Sequence, residues 1–330
     1  MQFPTKYNCL NQNEFFIEDF KLVPIRYEDR LVIMKWRNEQ IYHLRQDKPL
    51  TEKIQEDYFI ETVARMFNQE NPNQILFSYL KNDKCIGYGG LVHINWIDKN
   101  AEISFVLNTN LESNEFSFHW SNYLKLLEQV AFNELFLHKI FTYAFDTRPH
   151  LYDVLEQNKY KNEAILKEHC YYDETFIDVY IHQKRNPFSL EKLNQTHQKL
   201  LFNWVNDYDV RRNSLKTEPV LWKDHLKWFK NELSYTQSKI FIFEKENIQI
   251  GQIRINKIDN RWLITYSIDK NQRGKGYGFL ICNALVKRFN SFKFKAVVKH
   301  SNIPSKKVFE KLGFCKKNDQ KGNLITYLFN

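Results

Sequence analysis

The sequence predicts an α+β (mixed α/β) protein made of two domains of like design, each a mostly antiparallel sheet with helices before and between its strands. Three observations predict it. The chain has 330 residues, enough for two domains that each bury a core. The two halves echo one another at an offset of about 150 residues. In each half, short aromatic and β-branched runs flank polar turns and alternate with amphipathic stretches.

The elements follow in order. The first half opens with Lys35-Trp36-Arg37-Asn38 and Asp57-Tyr58-Phe59, and the second answers with Asn203-Trp204-Val205-Asn206 and Lys227-Trp228-Phe229. Each then offers a hairpin. In the first half Ile75–Tyr79 turns back into Cys85–Tyr88; in the second Ile240–Phe243 passes the polar turn Lys245-Glu246-Asn247 into Ile248–Gly251. Each half closes with a strand, a short helix and a last alternating strand, so Leu155–Tyr160 corresponds to Phe309–Phe314. The polar, proline-ended segment Gln183–Pro187 follows the alternating run Phe176–Ile181 and marks the boundary, giving domains 1–185 and 186–330.

Composition removes several classes of function. With 43% hydrophobic and 26% charged residues the chain reads as globular and not as a disordered tail. No run approaches the roughly 18 apolar residues of a membrane span. The segment Met1–Tyr7 has no apolar signal core, so a cytoplasmic location is expected. The five cysteines Cys9, Cys85, Cys170, Cys282 and Cys315 are scattered, without a C-x-x-C pair, which favours a reducing compartment and no metal cage.

The net charge of +9 is unevenly spread. Residues 1–185 hold 21 basic and 27 acidic side chains, a balance of −6; residues 186–330 hold 27 and 12, a balance of +15. A field of that sign concentrates anionic ligands, although a lysine-rich solvated surface is the bland alternative. The basic residues form no recognition helix and no aromatic RNA-binding sheet, so nucleic acid is not an expected partner.

The most informative stretch is a strand-like run, Trp262–Ile268, followed by Asp269-Lys270-Asn271-Gln272 and then Arg273-Gly274-Lys275-Gly276-Tyr277-Gly278. An amphipathic helix follows, with Phe279, Leu280, Leu285 and Phe289 as core positions. Three of the chain's nine glycines fall within Gly274–Gly278. Glycines let a backbone approach a bulky anion, and amides at a helix N-terminus point outward unpaired beside a partial positive charge. A pyrophosphate suits this turn. It is not a P-loop, since no Gly-Lys-Ser/Thr ends it, and the glycine spacing is not that of a dinucleotide fold.

Here the sequence resembles the GNAT acetyltransferase superfamily. The family's turn, Arg/Gln-x-x-Gly-x-Gly/Ala, is met by Arg273, Gly276 and Gly278, and a second element runs from Val298 to Phe314. In that element Pro304 starts a helix, Val308 and Leu312 share a face, and Gly313 supplies the left-handed cap. The resemblance covers about residues 190–330 well.

The resemblance implies a splayed central strand pair, binding of acetyl-CoA and transfer of acetyl to a primary amine. It implies that residues Arg273–Gly278 hold the CoA pyrophosphate, that the amide of Ile268 polarises the thioester carbonyl, and that Asn302 bonds the pantetheine arm. Phe309 occupies the position of the family's thiolate acid, a tyrosine, and has no proton to give. Tyr266 is a candidate substitute. His300 and His225 are the candidate bases, each with a surface or capping role as its alternative.

The first half resembles the same superfamily more faintly. At the pyrophosphate turn it reads Asn108–Ser117, with no glycine and with Glu112 and Glu115; at the second element Asp146 and Leu155 replace His300 and Phe309. This half is expected to be a non-catalytic partner domain. Glu128–His138, Asp173–Val179, Arg37-Asn38, Asn213-Ser214 and His225–Phe229 look like acetyltransferases of the pseudaminic-acid pathway. That likeness implies a nucleotide-linked amino-dideoxy sugar as acceptor, with Arg211 and Arg212 as candidates to contact its diphosphate. A protein N-terminus as acceptor and a non-catalytic acetyl-CoA sensor are the alternatives. The duplication leaves two arrangements open, a pseudo-dimer within one chain or a larger oligomer.

Overall fold

The computed structural model describes residues 3–234, 237–317 and 323–330. The chain divides into two compact units, Met1–Asn186 and Pro187–Asn330.

In unit 1, strands β1 (Phe15–Ile17) and β2 (Phe20–Pro24) precede α1 (Arg30–Glu39). Next, α2 (Glu52–Asp57) runs through a π-helical stretch, Tyr58–Val63, into α3 (Ala64–Met66). Three strands follow, β3 (Ile75–Lys81), β4 (Lys84–Asn95) and β5 (Asn100–Leu107). Then come α4 (Thr109–Asn114), α5 (Phe116–Glu128), β6 (Lys139–Phe145), α6 (His150–Gln157), β7 (Lys161–Tyr172) and β8 (Thr175–Arg185). The eight strands form one sheet in the order β1-β2-β3-β4-β5-β6-β8-β7. All neighbours are antiparallel except β5 and β6.

Unit 2 repeats the plan. It comprises β9 (Phe188–Lys192), α7 (Gln198–Val205), α8 (Tyr208–Asn213), α9 (Trp222–Ser234), β10 (Ser238–Lys245), β11 (Ile248–Ile258) and β12 (Arg261–Ile268). These lead into α10 (Tyr277–Arg288), β13 (Phe294–Lys299), α11 (Ile303–Lys311), β14 (Cys315–Lys317) and β15 (Leu324–Phe329). The sheet order is β14-β15-β13-β12-β11-β10-β9, with β12 and β13 its parallel pair. The mixed, mainly antiparallel architecture is the one the sequence predicts.

Local chemistry accounts for the hairpins. Asn82-Asp83 and Glu246-Asn247 each place two residues at positive φ between paired strand ends. That is the two-residue turn whose twist matches the strands, and Asn and Asp enter it at low cost. Gly313, at φ +79°, ends α11 as expected. Helix α10 is buried more widely than a single stripe: Ile281, Cys282 and Ala284 join Leu280 and Leu285 in the core.

Candidate functional site

The site grows out of the parallel strand pair of unit 2. Strands β12 and β13 are paired over three positions only, ending at Ile264 and Ala296. Beyond this point they diverge. The ladder with β11 shows where the freed backbone groups point. Asp269 donates to the Ile250 carbonyl, so the next pair, Gly251 and Ile268, is not hydrogen-bonded. By the same alternation the amides of Ile268 and Tyr266 turn away from β11, on the side where the Trp262 amide reaches the Lys293 carbonyl of the connection into β13. They face the gap between the splayed strands.

Gly251 permits this geometry. A Cβ there would sit 2.6 Å from the Ser267 carbonyl oxygen and 2.8 Å from the Ile268 side chain. Past Ile268, Gly274 and Gly276 adopt φ +78° and +80°, with open space where a Cβ would point. Gly276 is the N-cap of α10. Among the described residues the amides of Gly274, Lys275, Gly276, Tyr277 and Gly278 make no hydrogen bond. A row of unpaired donors at the N-terminus of a twelve-residue helix is a fit for an anion such as pyrophosphate. Gly278 has a different reason: a Cβ would press on Tyr266 at 3.3 Å and Val308 at 3.5 Å, so this glycine lets α10 lie against Tyr266 and α11.

The basic side chains of the turn do not extend the row of free amides. The Arg273 guanidinium donates to Asp207 at 2.5 Å and Asp209 at 2.9 Å, and its Nε–H caps the Ile268 carbonyl at 3.1 Å. Its charge is answered by Asp207, the N-cap of α8, and by Asp209 in the first turn of that helix. Lys275 Nζ donates to Gln272. On the other side of the gap, Lys299 at the end of β13 donates to the Arg212 carbonyl at 2.8 Å. Helix α8 is thus fastened at its start to the turn after β12 and at its end to β13.

The remaining predicted residues divide into two groups. Tyr266 lies in the fork, its hydroxyl 3.1 Å from Ser305 of α11, and burial pushes the phenol far above its ordinary range, so it keeps its proton. Its ring meets Phe309 edge-on at 6.1 Å, and Phe309 itself is 2% exposed, stacked on Tyr327. Asn302 caps α11, its side chain accepting from the Ser305 amide. His300 stands exposed in the turn between β13 and α11. His225 does not join them. It is 1% exposed, shares its Nε2–H with the Gln198 carbonyl at 2.9 Å and lies among Phe202, Trp222 and Trp228. This histidine holds α7 and α9 together, and the reading of it as a base is corrected accordingly. Arg211 bends back to Glu218 and Ser214 of its own loop, while Arg212 stays largely exposed beside Asp209 and Tyr208.

Sequence reasoning missed a polar stripe on the other face of the sheet. Gln252 and Arg254 of β11 lie opposite Ser267 and Thr265 of β12, and Gln252 donates to the Ser267 hydroxyl at 3.3 Å. The Arg254 guanidinium lies 5.7 Å from the Trp228 ring centroid on α9, and burial pulls its pKa down despite nearby Glu232. One Glu232 carboxylate oxygen is buried without a hydrogen bond among the described residues. A helix-covered sheet face is normally apolar. The alternation Gln252, Arg254, Asn256 between Ile253 and Ile255 was the available signal.

Unit 1 has the same fork and a different filling. Strands β5 and β6 are paired only from Asn100 to Glu102, so the strands part there too. Yet Asn108 caps a helix, α4, in place of a glycine turn. Glu112 of α4 accepts from Arg148, which follows β6, at 2.7 Å; Arg148 is 6% exposed and also meets the rings of Phe116 and Trp120. His43 accepts from the same guanidinium at 3.0 Å, its own pKa pulled down to about 3 by burial and by the Arg148 charge. A buried ion pair therefore joins the segments that follow β5 and β6. Glu112 is thus a structural partner of Arg148.

Family models of an acetyltransferase (GNAT) domain match residues 22–181 and 188–315. The chain carries two GNAT acetyltransferase domains in tandem. The protein is an acyltransferase of this class. Solved structures similar to this tandem GNAT protein include spermidine N-acetyltransferase from Vibrio cholerae in complex with CoA and spermine. That match has 17% identity, covers 52% of this chain and 97% of that one, and has a TM-score of 0.46. RimL, a ribosomal L7/L12 alpha-N-protein acetyltransferase in complex with coenzyme A, matches at 14% identity over 43% of this chain and 93% of its own, with a TM-score of 0.39. A domain from Methanocaldococcus jannaschii matches at 22% identity over 43% and 97%, with a TM-score of 0.39. Likeness at this level bears on no substrate. Among the described residues no cluster of His, Cys, Asp or Glu could hold a metal ion, and no helix is long and apolar enough to cross a membrane.

Proposed function

We propose that unit 2 of this GNAT protein binds acetyl-CoA and transfers its acetyl group to the amine of a nucleotide-linked amino-dideoxy sugar, while unit 1 is non-catalytic. The observation that carries the first part is the row of unpaired amides from Gly274 to Gly278, set beside a fork into which the amides of Tyr266 and Ile268 point. Pyrophosphate would take the first set. A thioester carbonyl in the fork would meet the second, and negative charge on its oxygen would be stabilised as the amine attacks.

The chemistry needs no covalent enzyme intermediate. A neutral amine forms the new C–N bond, the C–S bond breaks, and the amine loses one proton while the thiolate can take one. His300, exposed at the fork's edge, is the residue proposed to accept the amine proton. Tyr266, protonated and bonded to Ser305, is proposed to give its proton to the departing CoA thiolate, in place of the missing tyrosine at Phe309. Thiolate leaves readily near neutral pH, so the contribution of Tyr266 is modest.

The acceptor reading rests on charge. Unit 2 carries the basic excess of the chain, and Arg212 and Arg254 stand at the covering helices. A diphosphate-linked amine is attracted by such a field, whereas a polycationic amine is repelled. The test incubates the full chain with acetyl-CoA and either a uridine-diphosphate 4-amino-dideoxy sugar or an N-terminal peptide, following free thiol. Thiol release with the sugar nucleotide alone supports the proposal. Release with the peptide alone replaces the acceptor, and CoA binding without release in either arm replaces turnover by sensing.

A further inference from the structure

Unit 1 contains a cavity of about 290 Å³ that reaches Ser104 of β5, two residues past the last pair with β6. Its walls come from α1, from α2 and the π-helical stretch that continues it, and from β3 to β5. They are mainly apolar, with Ile25, Ile33, Leu50 and Phe59 among them. Set into them is Arg37. Its Nε–H donates to Gln46 at 3.0 Å and its Nη1 to the Tyr88 hydroxyl oxygen at 2.5 Å. No carboxylate lies within 4 Å of the guanidinium among the described residues, and none lines the cavity. The ionisable groups that act on it are the phenols of Tyr88 and Tyr58.

Arg37 is half-buried, and a guanidinium there without a carboxylate beside it keeps its positive charge open to an anion that enters the cavity. Its Nη2 edge has no hydrogen-bond partner among the described residues. The Tyr88 oxygen accepts from Arg37, so its own hydrogen is left to donate. Two donors of this kind side by side match the two oxygens of a carboxylate, and a single positive charge matches a monoanion better than a phosphate. The apolar remainder of the cavity suits a short hydrocarbon body. From this geometry we infer that unit 1 binds a small apolar monocarboxylate, with Arg37 and Tyr88 holding its head group. This site is independent of the acetyl-CoA reading of unit 2.

The test titrates the full chain with benzoate and 4-methylvalerate by calorimetry, with benzamide and inorganic phosphate as controls. The carboxylates are expected to bind, with benzamide and phosphate at least tenfold weaker. Arg37→Met is expected to weaken benzoate at least tenfold. Ile54→Trp, at a cavity position that is 52% exposed, is expected to block it by filling the space while the melting curve stays unchanged. Gly276→Glu leaves the binding intact. Absence of carboxylate binding, equal binding of benzamide or phosphate, or undiminished binding in both Arg37→Met and Ile54→Trp overturns the proposal.

Discussion

Arg273 gives its guanidinium to Asp207, at 2.5 Å, and not to the open side of the glycine turn. The arginine of the family pattern is here a strut that ties the turn to the start of α8 and caps the Ile268 carbonyl. In the proposed function, recognition of pyrophosphate then falls to backbone amides and the helix end, whose position the Arg273–Asp207 pair fixes. Asp207→Asn is expected to weaken CoA binding about three- to tenfold, because a charge-assisted bond becomes a neutral one. Calorimetric titration with CoA checks this.

The same pair sets a pH expectation. Burial alone would raise the Asp207 carboxyl, but Arg273 and the amides of Val210 and Asp209 outweigh it, and the net shift is downward from 3.8. A lowered folded-state pKa means the contribution is in place above the unfolded value and is lost as pH falls through the folded one. CoA affinity should therefore show no dependence on this pair between about pH 5 and 8, and should fall only below about pH 4.

The glycines separate conformation from packing. Gly276→Ala meets no atom but places a side chain at φ +80°, at a cost of about 1–2 kcal/mol. Gly276→Glu shares that backbone cost and adds a carboxylate where pyrophosphate is proposed to sit, and should reduce CoA affinity at least tenfold below that of Gly276→Ala. Gly251→Ala drives a Cβ against the Ser267 carbonyl and so displaces Ile268. It should lower kcat more than it raises the dissociation constant for CoA. Steady-state kinetics and titration together check both.

His300 and His225 should part company in mutants. His300→Ala is expected to lower kcat at least tenfold with an unchanged melting curve, since the residue is exposed. Tyr266→Phe should cost about three- to tenfold in kcat. His225→Ala removes a buried ring and its hydrogen bond to Gln198. It should cost about 2–4 kcal/mol of stability, read by urea unfolding, with kcat of the remaining folded protein preserved.

In unit 1, Glu112→Ala leaves Arg148 buried and uncompensated, and should cost about 3–5 kcal/mol in urea unfolding. Replacing both partners by Glu112→Leu and Arg148→Met should recover most of that loss. Acetyl transfer at unit 2 should be unaffected by the double change.

The duplicated fold was legible because its signals are local. Polar turns such as Glu246-Asn247, the alternation of Ile240–Phe243 and the glycine cap at Gly313 each carry their own stereochemical reason. The turn from Arg273 to Gly278 was legible for the same cause, since glycine spacing reports backbone conformation directly. Partnerships across the fold were not. Nothing near Arg273 in the sequence says that Asp207, 66 residues away, will take its charge. Nor does anything near Glu112 announce Arg148, 36 residues on. His225 looked catalytic because its residue type is versatile, and only burial among Phe202, Trp222 and Trp228 reveals its structural role. The stripe of Gln252 and Arg254 was written in the alternation of β11, but which face a helix covers is decided by tertiary packing.

Of the two related domains, unit 2 alone is proposed to bind acetyl-CoA. Titration of the full chain with CoA tests it most directly. One site per chain is expected, lost in Gly276→Glu and retained in the Glu112→Leu, Arg148→Met double variant. Two sites per chain, or a single site that survives Gly276→Glu and vanishes in the double variant, would contradict it.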